Sequence, residues 1–495
     1  MSEPIPIETA PQRGVGRTIF KNAVAITLGN VVLKAANFLF GVYVVRQLGD
    51  DRFGQYSIVL AFVGLFQILA ELGMSQYVMR QIAQDRSRTQ SLFWNLVALR
   101  CLLGAAGMLL IPLAAAAYGY SSELVLGVLV YTASFLLSAF AAPLMAVLAA
   151  YERLDHATLL TVLSQIAFIA LGTLFLFLNL GFIWLIVAGL ASIVPQIVIA
   201  AWVIRRERMT SLGFQIDPRS WPGLIRAGLP FGIISLALTI AFSIDTVMLS
   251  MYVPESVVGW YNIAYGLVRS LMFFISGFSH AMVPSLTRTY VSDTRQVERW
   301  YHRSVKFILL MGVPMAVGGT LVAFPLVNFL YAEANLPAAP GLQILIWDVP
   351  LLMFASFCGN MTTVVSEERA AARIYSINAV ANVILNAYAI PRFGLVGASF
   401  VTVITDLIGA LQFHFLLRRK LHLPGMMSVL LRVALAGAGM GASVALAGDQ
   451  HLFVQIGIGA GVYGALVLAL RLIDADERAL VAQLVRLVLP SKAEA

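Results

Sequence analysis

Charge is what this sequence has least of: Asp, Glu, Lys and Arg make up 12% of its 495 residues, against about a quarter in soluble globular chains. With 60% hydrophobic residues and a mean hydropathy of +0.85, it reads as a polytopic membrane protein. Cysteine is nearly missing. Cys101 and Cys358 both lie inside apolar segments, which argues against a disulfide framework or a thiolate metal centre. No polar segment is long enough to form a separate soluble domain, so an enzyme with a large extramembrane catalytic domain is disfavoured. Nucleotide loops, metal-ligand clusters and catalytic triads are also missing. The stretch GVGRT at 14–18 has the wrong spacing for a phosphate loop and follows no strand.

What the chain does contain is runs of about twenty apolar residues bounded by charge or turn residues, long enough to cross about 30 Å of hydrocarbon as helices. Fourteen spans are predicted: 19–45, 56–79, 92–117, 124–150, 157–179, 182–204, 224–251, 257–286, 304–330, 342–366, 374–390, 395–417, 426–447 and 452–472. The first is too long for the core of a cleavable signal peptide and lacks a small-residue cleavage pattern after it. It is therefore expected to stay in the mature protein. The 33 Lys and Arg residues are unevenly placed. Only Arg46, Arg52 and Arg392 fall in loops opposite the N-terminus, while Lys34, Arg100 and Arg269 lie within spans. Basic loops stay in the cytoplasm, so both termini are expected there. The net charge of +8 then reports topology and contact with anionic head groups, not nucleic acid.

Two internal echoes divide the chain. LGDDRFGQYS between spans one and two is similar to VPESVVGWYN between spans seven and eight, pairing Gly54 and Tyr56 with Gly259 and Tyr261. NLGFIWL before span six is similar to RFGLVGA before span twelve, pairing Gly181 with Gly394. Both separations, about 205 to 213 residues, equal half of the first twelve spans, which predicts a parallel repeat about an axis along the membrane normal. The expected organisation is a tail at 1–16, a first six-helix lobe at 17–204, a linker at 205–223, a second six-helix lobe at 224–420, two further helices at 421–472 and a tail at 473–495.

The first span carries a polar face. Asn30, Lys34, Asn37 and Gly41 fall at helical spacing. A lysine at the bilayer centre costs about 2.5 to 3.5 kcal/mol, so Lys34 should face a partner acid or a wet cavity, not lipid. Arg269, near the middle of span eight, is its counterpart in the second half. The structural alternative pairs Lys34 with Glu71 and Arg269 with Asp245. Arg100, some eight residues into span three, is close enough to the end to snorkel. Glu71, Asp245, Asp348, Asp406 and His280 are the intramembrane titratable groups, able to bind and release H⁺ or Na⁺ or to serve as salt bridges and polar contacts. Asn378, Asn382 and Asn386 form a stripe on span eleven that either lines a cavity or bonds between helices.

The cationic first helix, then QLGDDRFGQYS, then a second helix ending GMSQYVMRQIA, resembles the oligosaccharide-lipid flippases of bacterial polysaccharide export (Wzx-type). These belong to the multidrug/oligosaccharidyl-lipid/polysaccharide superfamily. NAVANVILNAYAIPRFGLVGASFVTVITDLIGA resembles the same group, and the likeness covers roughly residues 17 to 420. It implies two lobes around a central cavity and alternating access. The implied cargo is an undecaprenyl-pyrophosphate-linked oligosaccharide moved from the inner to the outer leaflet of the bacterial cytoplasmic membrane. It also implies a bilayer setting, a polysaccharide polymerase and glycosyltransferases as partners, and no cofactor beyond a H⁺ or Na⁺ gradient or the membrane potential. By resemblance Lys34 and Arg269 are the substrate cations, and Asn30, Asn37, Arg100, Asn378 and Asn382 are the further candidates to line the substrate cavity. Asp406, Asp245, Glu71, Asp348 and His280 are, from their own placement in the spans, the candidates for ion coupling. The competing readings are a cation-coupled multidrug exporter, disfavoured by the central cations, and a membrane glycosyltransferase or polymerase, disfavoured by the short outer loops.

Overall fold

The computed structural model describes residues 13–210, 213–271, 286–290, 292–421, 425–448 and 450–473, with 13–31 and 234 as backbone. His280 and the side chain of Asn30 lie outside these. Among the described residues the chain is helical, without strands. That is the outcome an apolar sequence must reach in hydrocarbon, where a helix satisfies its backbone hydrogen bonds within one segment.

The first half supplies α1 (Arg13–Glu71), α2 (Met74–Gln84), α3 (Thr89–Ala117), α4 (Ser122–Ala150), α5 (Leu154–Phe177) and α6 (Phe182–Arg206). The second supplies α7 (Trp221–Leu249), α8 (Glu255–Leu271), α9 (Thr294–Leu321), α10 (Ala323–Tyr331), α11 (Ala339–Leu345), α12 (Asp348–Val364) and α13 (Glu368–Arg418). Two more, α14 (Met427–Leu446) and α15 (Leu452–Ala469), close the chain. Two of the long helices are pairs joined across a left-handed glycine, Gly49 (φ 74°) in α1 and Gly394 (φ 53°) in α13. Gly181, at φ 84°, precedes α6. The echo of Gly181 with Gly394 is thus a shared turn chemistry: both positions need a backbone conformation that a Cβ disfavours.

The fourteen predicted spans all fall on helices, although the eighth runs on into residues outside the described set. By length and composition alone, nine helices among the described residues could cross a membrane, or eleven when each bent pair counts as one span. Fourteen is therefore not reached by that criterion. The difference has physical causes: glycine joints fuse neighbouring spans, and span ten is bent by 49° between α11 and α12.

The first-half helices pack on one another, α3 against α4 and α4 and α5 against α6, with the α1 arms alongside. The second-half helices do likewise, α12 and α7 against α13. The last pair packs together and docks on α9, where glycines allow close approach: a Cβ on Gly437 would meet Val313 at 2.9 Å and one on Gly441 would meet Val317 at 3.0 Å. Tyr463 ties the dock by donating to the Leu310 carbonyl at 2.9 Å.

Candidate functional site

The two lobes touch at both ends. At the end carrying the Gly49 and Gly394 turns, α1 lies directly on α8. A Cβ on Gly54 would overlap the Glu255 carbonyl and come within 3.2 Å of Gly259 N, and one on Gly259 would overlap the Asp50 carbonyl. Around this contact Gln55 Nε2 donates to Glu255 Oε2 at 2.7 Å, and Arg46 donates to the Leu330 and Phe329 carbonyls, both at 2.6 Å. The Tyr120 and Ser250 hydroxyls meet at 2.6 Å. At the opposite, arginine-rich end, α1 stops at a double left-handed break, Leu72 (φ 46°) and Gly73 (φ 70°). That break sits on α7. A Cβ on Gly73 would lie 2.5 Å from both Gly228 O and Gly232 N.

Behind the break is a buried ion pair. Arg100 of α3, 4% exposed, pairs with Glu71 and donates to Ser75 Oγ at 2.9 Å and Ser138 Oγ at 3.4 Å. Glu71 in turn accepts from Ser75 N at 3.2 Å, capping α2. Arg100 is therefore not snorkelling, and Glu71 is paired with Arg100, not with Lys34. Helical spacing does not reveal this contact, because Glu71, Ser75, Arg100 and Ser138 lie on four different helices.

The mid-helix cations are exposed. Lys34 on α1 and Arg269 on α8 both stand clear of the packed cores. The guanidinium of Arg269 lies 5.1 Å from the Phe242 ring and 5.8 Å from that of Tyr265, a cation–π setting. Among the described residues it has no carboxylate partner within 4 Å. Asn37 accepts a hydrogen bond from Gln165 of α5 and so faces the first lobe's interior.

The expected partner of Arg269, Asp245, is fully engaged by neutral donors. Asn386 Nδ2 donates to Oδ1 at 2.6 Å, while the Tyr261 and Thr402 hydroxyls donate to Oδ2 at 2.7 and 2.8 Å. Asn382 Oδ1 accepts from Asn386 at 3.1 Å and closes the cage. The asparagine stripe thus divides. Asn382 and Asn386 serve the buried acid, whereas Asn378 packs against Gly409 with its buried Oδ1 unbonded. Two members of the cage, Tyr261 and Thr402, are not marked as site residues by the sequence. Tyr261 was visible only as half of an echo, and Thr402 carried no signal beyond lying one turn before Asp406.

Asp348 opens α12 at the bend and is completely buried, yet among the described residues neither of its oxygens accepts a hydrogen bond from a neutral or cationic donor. What it faces is the half-buried Asp406 carboxyl of α13, with Asp245 and Tyr265 within electrostatic reach. Two facing carboxyls form a favourable contact only when a proton lies between them. The structure therefore brings Asp245, Asp348 and Asp406 into one cluster in the second lobe. Glu71 stands apart in the first. Among the described residues no group of three or more acids, histidines or cysteines could hold a metal ion.

A helical chain in two lobes, meeting at both ends, with clustered acids in one lobe and mid-helix cations left exposed, is built as a multi-pass membrane protein. Comparison with known proteins agrees. A family model of polysaccharide biosynthesis proteins matches residues 19–290, and the MatE model matches 230–388. An uncharacterized membrane protein of Methanocaldococcus jannaschii is 26% identical over 166 residues, 32% of either chain. A probable low-salt glycan biosynthesis flippase of Haloferax volcanii, Agl15, is 23% identical over 174 residues, 35% of this chain and 37% of the relative. The chain thus matches about a third of the length of these relatives. Lipid II flippase MurJ, in an inward closed conformation, has the same fold: TM-score 0.75 at 18% identity, over 90% of this chain and 99% of that one. The chain belongs to the polysaccharide biosynthesis protein family.

Proposed function

We propose that this protein flips a polyprenyl-pyrophosphate-linked oligosaccharide from the cytoplasmic to the outer leaflet of a bacterial inner membrane, by alternating access, for surface or exopolysaccharide assembly. The termini are cytoplasmic in this reading, which the arginine-rich end supports. The observation that carries the substrate assignment is Arg269: the acid nearest in expectation is caged by neutral donors, and the guanidinium is left exposed beside two aromatic rings. A cation held this way in a membrane favours an anionic guest, and arginine can bind a diphosphate with paired hydrogen bonds. Lys34, exposed on α1, supplies the second charge.

The coupling ion is a proton carried between Asp348 and Asp406. Loss of a proton shared between two facing carboxyls leaves two like charges that must move apart. A sodium ion at Asp245 is the second reading. It is favoured by the unbonded Asn386 Oδ1 beside a buried carboxylate that already has hydroxyl oxygens of Tyr261 and Thr402 around it. Polymerase and glycosyltransferases would act on either side of the step. The test is reconstitution in proteoliposomes with a polyprenyl-pyrophosphate glycan under imposed pH or Na⁺ gradients. Flipping driven by the pH gradient supports the full reading, flipping driven only by Na⁺ moves the coupling to Asp245, and no flipping rejects the function.

A further inference from the structure

The first lobe contains a pocket of 330 Å³ between α1, α4, α5 and α6 that none of the charged residues discussed above enters. Its size fits one small ligand moiety. Among the described residues no charged side chain lines it. Three of its serines have already spent their hydroxyl hydrogens on helix carbonyls: Ser138 on Phe135 O at 3.0 Å, Ser164 on Ser192 O at 2.8 Å and Ser192 on Gly189 O at 2.7 Å. Ser164 and Ser192 therefore present lone pairs and no hydrogen to the cavity, whereas the Ser138 oxygen also accepts from Arg100. Gln165 donates its amide to Asn37, leaving its carbonyl oxygen. Tyr56, Tyr131 and Phe168 add ring faces, while the Tyr56, Tyr131 and Ser134 hydroxyls and the exposed Gln67 amide add groups able to donate.

This lining discriminates by chemistry. A pyrophosphate is best met by a cation, and among the described residues no charged side chain in the lining supplies one. A lipophilic cation prefers a carboxylate, and the pocket has none. A guest whose own edge is a row of hydroxyl donors, and whose ring faces are apolar enough to lie against aromatic side chains, fits both features. The same α1 arm packs against the second lobe, and Arg100 reaches Ser138 from behind the lobe-contacting break at Leu72–Gly73. We propose that this pocket is a subsite for a neutral sugar ring of the cargo. The inference rests on the flippase reading and deepens it, separating a carbohydrate site in the first lobe from the cation that meets the diphosphate.

The experiment uses the full chain in nanodiscs, with Cys101→Ser and Cys358→Ser removing the native thiols and Ser138→Cys placing one in the pocket. Labelling by a membrane-permeant maleimide is timed with glucose, galactose, rhamnose, N-acetylglucosamine or tetraphenylphosphonium present. At least one sugar is expected to slow labelling about tenfold, the effect of about nine-tenths occupancy, with no slowing by the cation. Ser164→Cys repeats the measurement should the first variant fail to insert. No slowing by any of the four sugars, or equal slowing by tetraphenylphosphonium, overturns the proposal. Flipping of a lipid-linked glycan without sugar protection removes the pocket and leaves the function. Sugar protection without flipping removes the function and leaves the pocket.

Discussion

Gly54 and Gly259 face each other across the lobe boundary, and each sits where a side chain would strike the other lobe: Gly54 against the Glu255 carbonyl, Gly259 against that of Asp50. The relation is reciprocal, as it must be where matching residues of a parallel repeat meet on their shared axis. Adding a methyl at either should hold this end open, with a cost of about 1 to 3 kcal/mol from overpacking. Spin-label distances across α1 and α8 are expected to lengthen in Gly54→Ala and Gly259→Ala. They should not change in Gly41→Ala, where a Cβ meets nothing within 4 Å. Unchanged distances in the first two variants would remove this contact from the gate.

The other end makes the opposite prediction. Gly228 and Gly232 let α7 approach the Leu72–Gly73 break, with a Cβ on Gly228 2.7 Å from Leu72 O. Gly228→Val should wedge the arginine-rich end apart and raise labelling of cavity cysteines from that side severalfold. Labelling equal to that of the parent chain would show that this end does not close through these glycines.

The Arg100–Glu71 pair tests whether the break is held from behind. Removing one partner of a buried ion pair costs about 3 to 5 kcal/mol, while replacing both with apolar groups is often close to neutral. Arg100→Met is expected to lower the melting temperature in detergent, and Arg100→Met with Glu71→Leu to restore much of it. Additive losses in the double variant would mean that the two side chains do not act as a pair.

Much of this was legible in the sequence, and the limits have a physical origin. Apolar run length fixed the helices, because hydrocarbon leaves few backbone solutions. The Gly54/Gly259 echo marked a real contact for the same reason that repeats pack on their axis. Pairings were harder. Lys34 with Glu71 and Arg269 with Asp245 were reasonable by helix order, but Arg100 took Glu71 from a third helix. A cage of Tyr261, Thr402 and Asn386 took Asp245. Helical periodicity places residues on a face without telling which distant face arrives opposite. The serine pocket carried no signal, since Ser134, Ser138, Ser164 and Ser192 are scattered small residues of the kind any packed membrane helix uses.

Asp348 and Asp406 should be individually indispensable for coupling. Asp348→Asn and Asp406→Asn are each expected to leave glycan binding near that of the parent while abolishing acceleration by a pH gradient. An asparagine cannot take up and release the shared proton. Gradient-driven flipping that survives in both variants would exclude this pair as the proton site.

The central claim, that Arg269 meets the diphosphate of the cargo, is tested most directly by the flipping rate of a polyprenyl-pyrophosphate glycan in proteoliposomes containing Arg269→Ala, Arg269→Lys or Lys34→Ala at equal protein density. Loss of a charge-assisted contact worth about 1.5 to 3 kcal/mol predicts a fall of about 10- to 100-fold for each alanine variant, with Arg269→Lys intermediate. Rates in Arg269→Ala that match the parent would contradict the account.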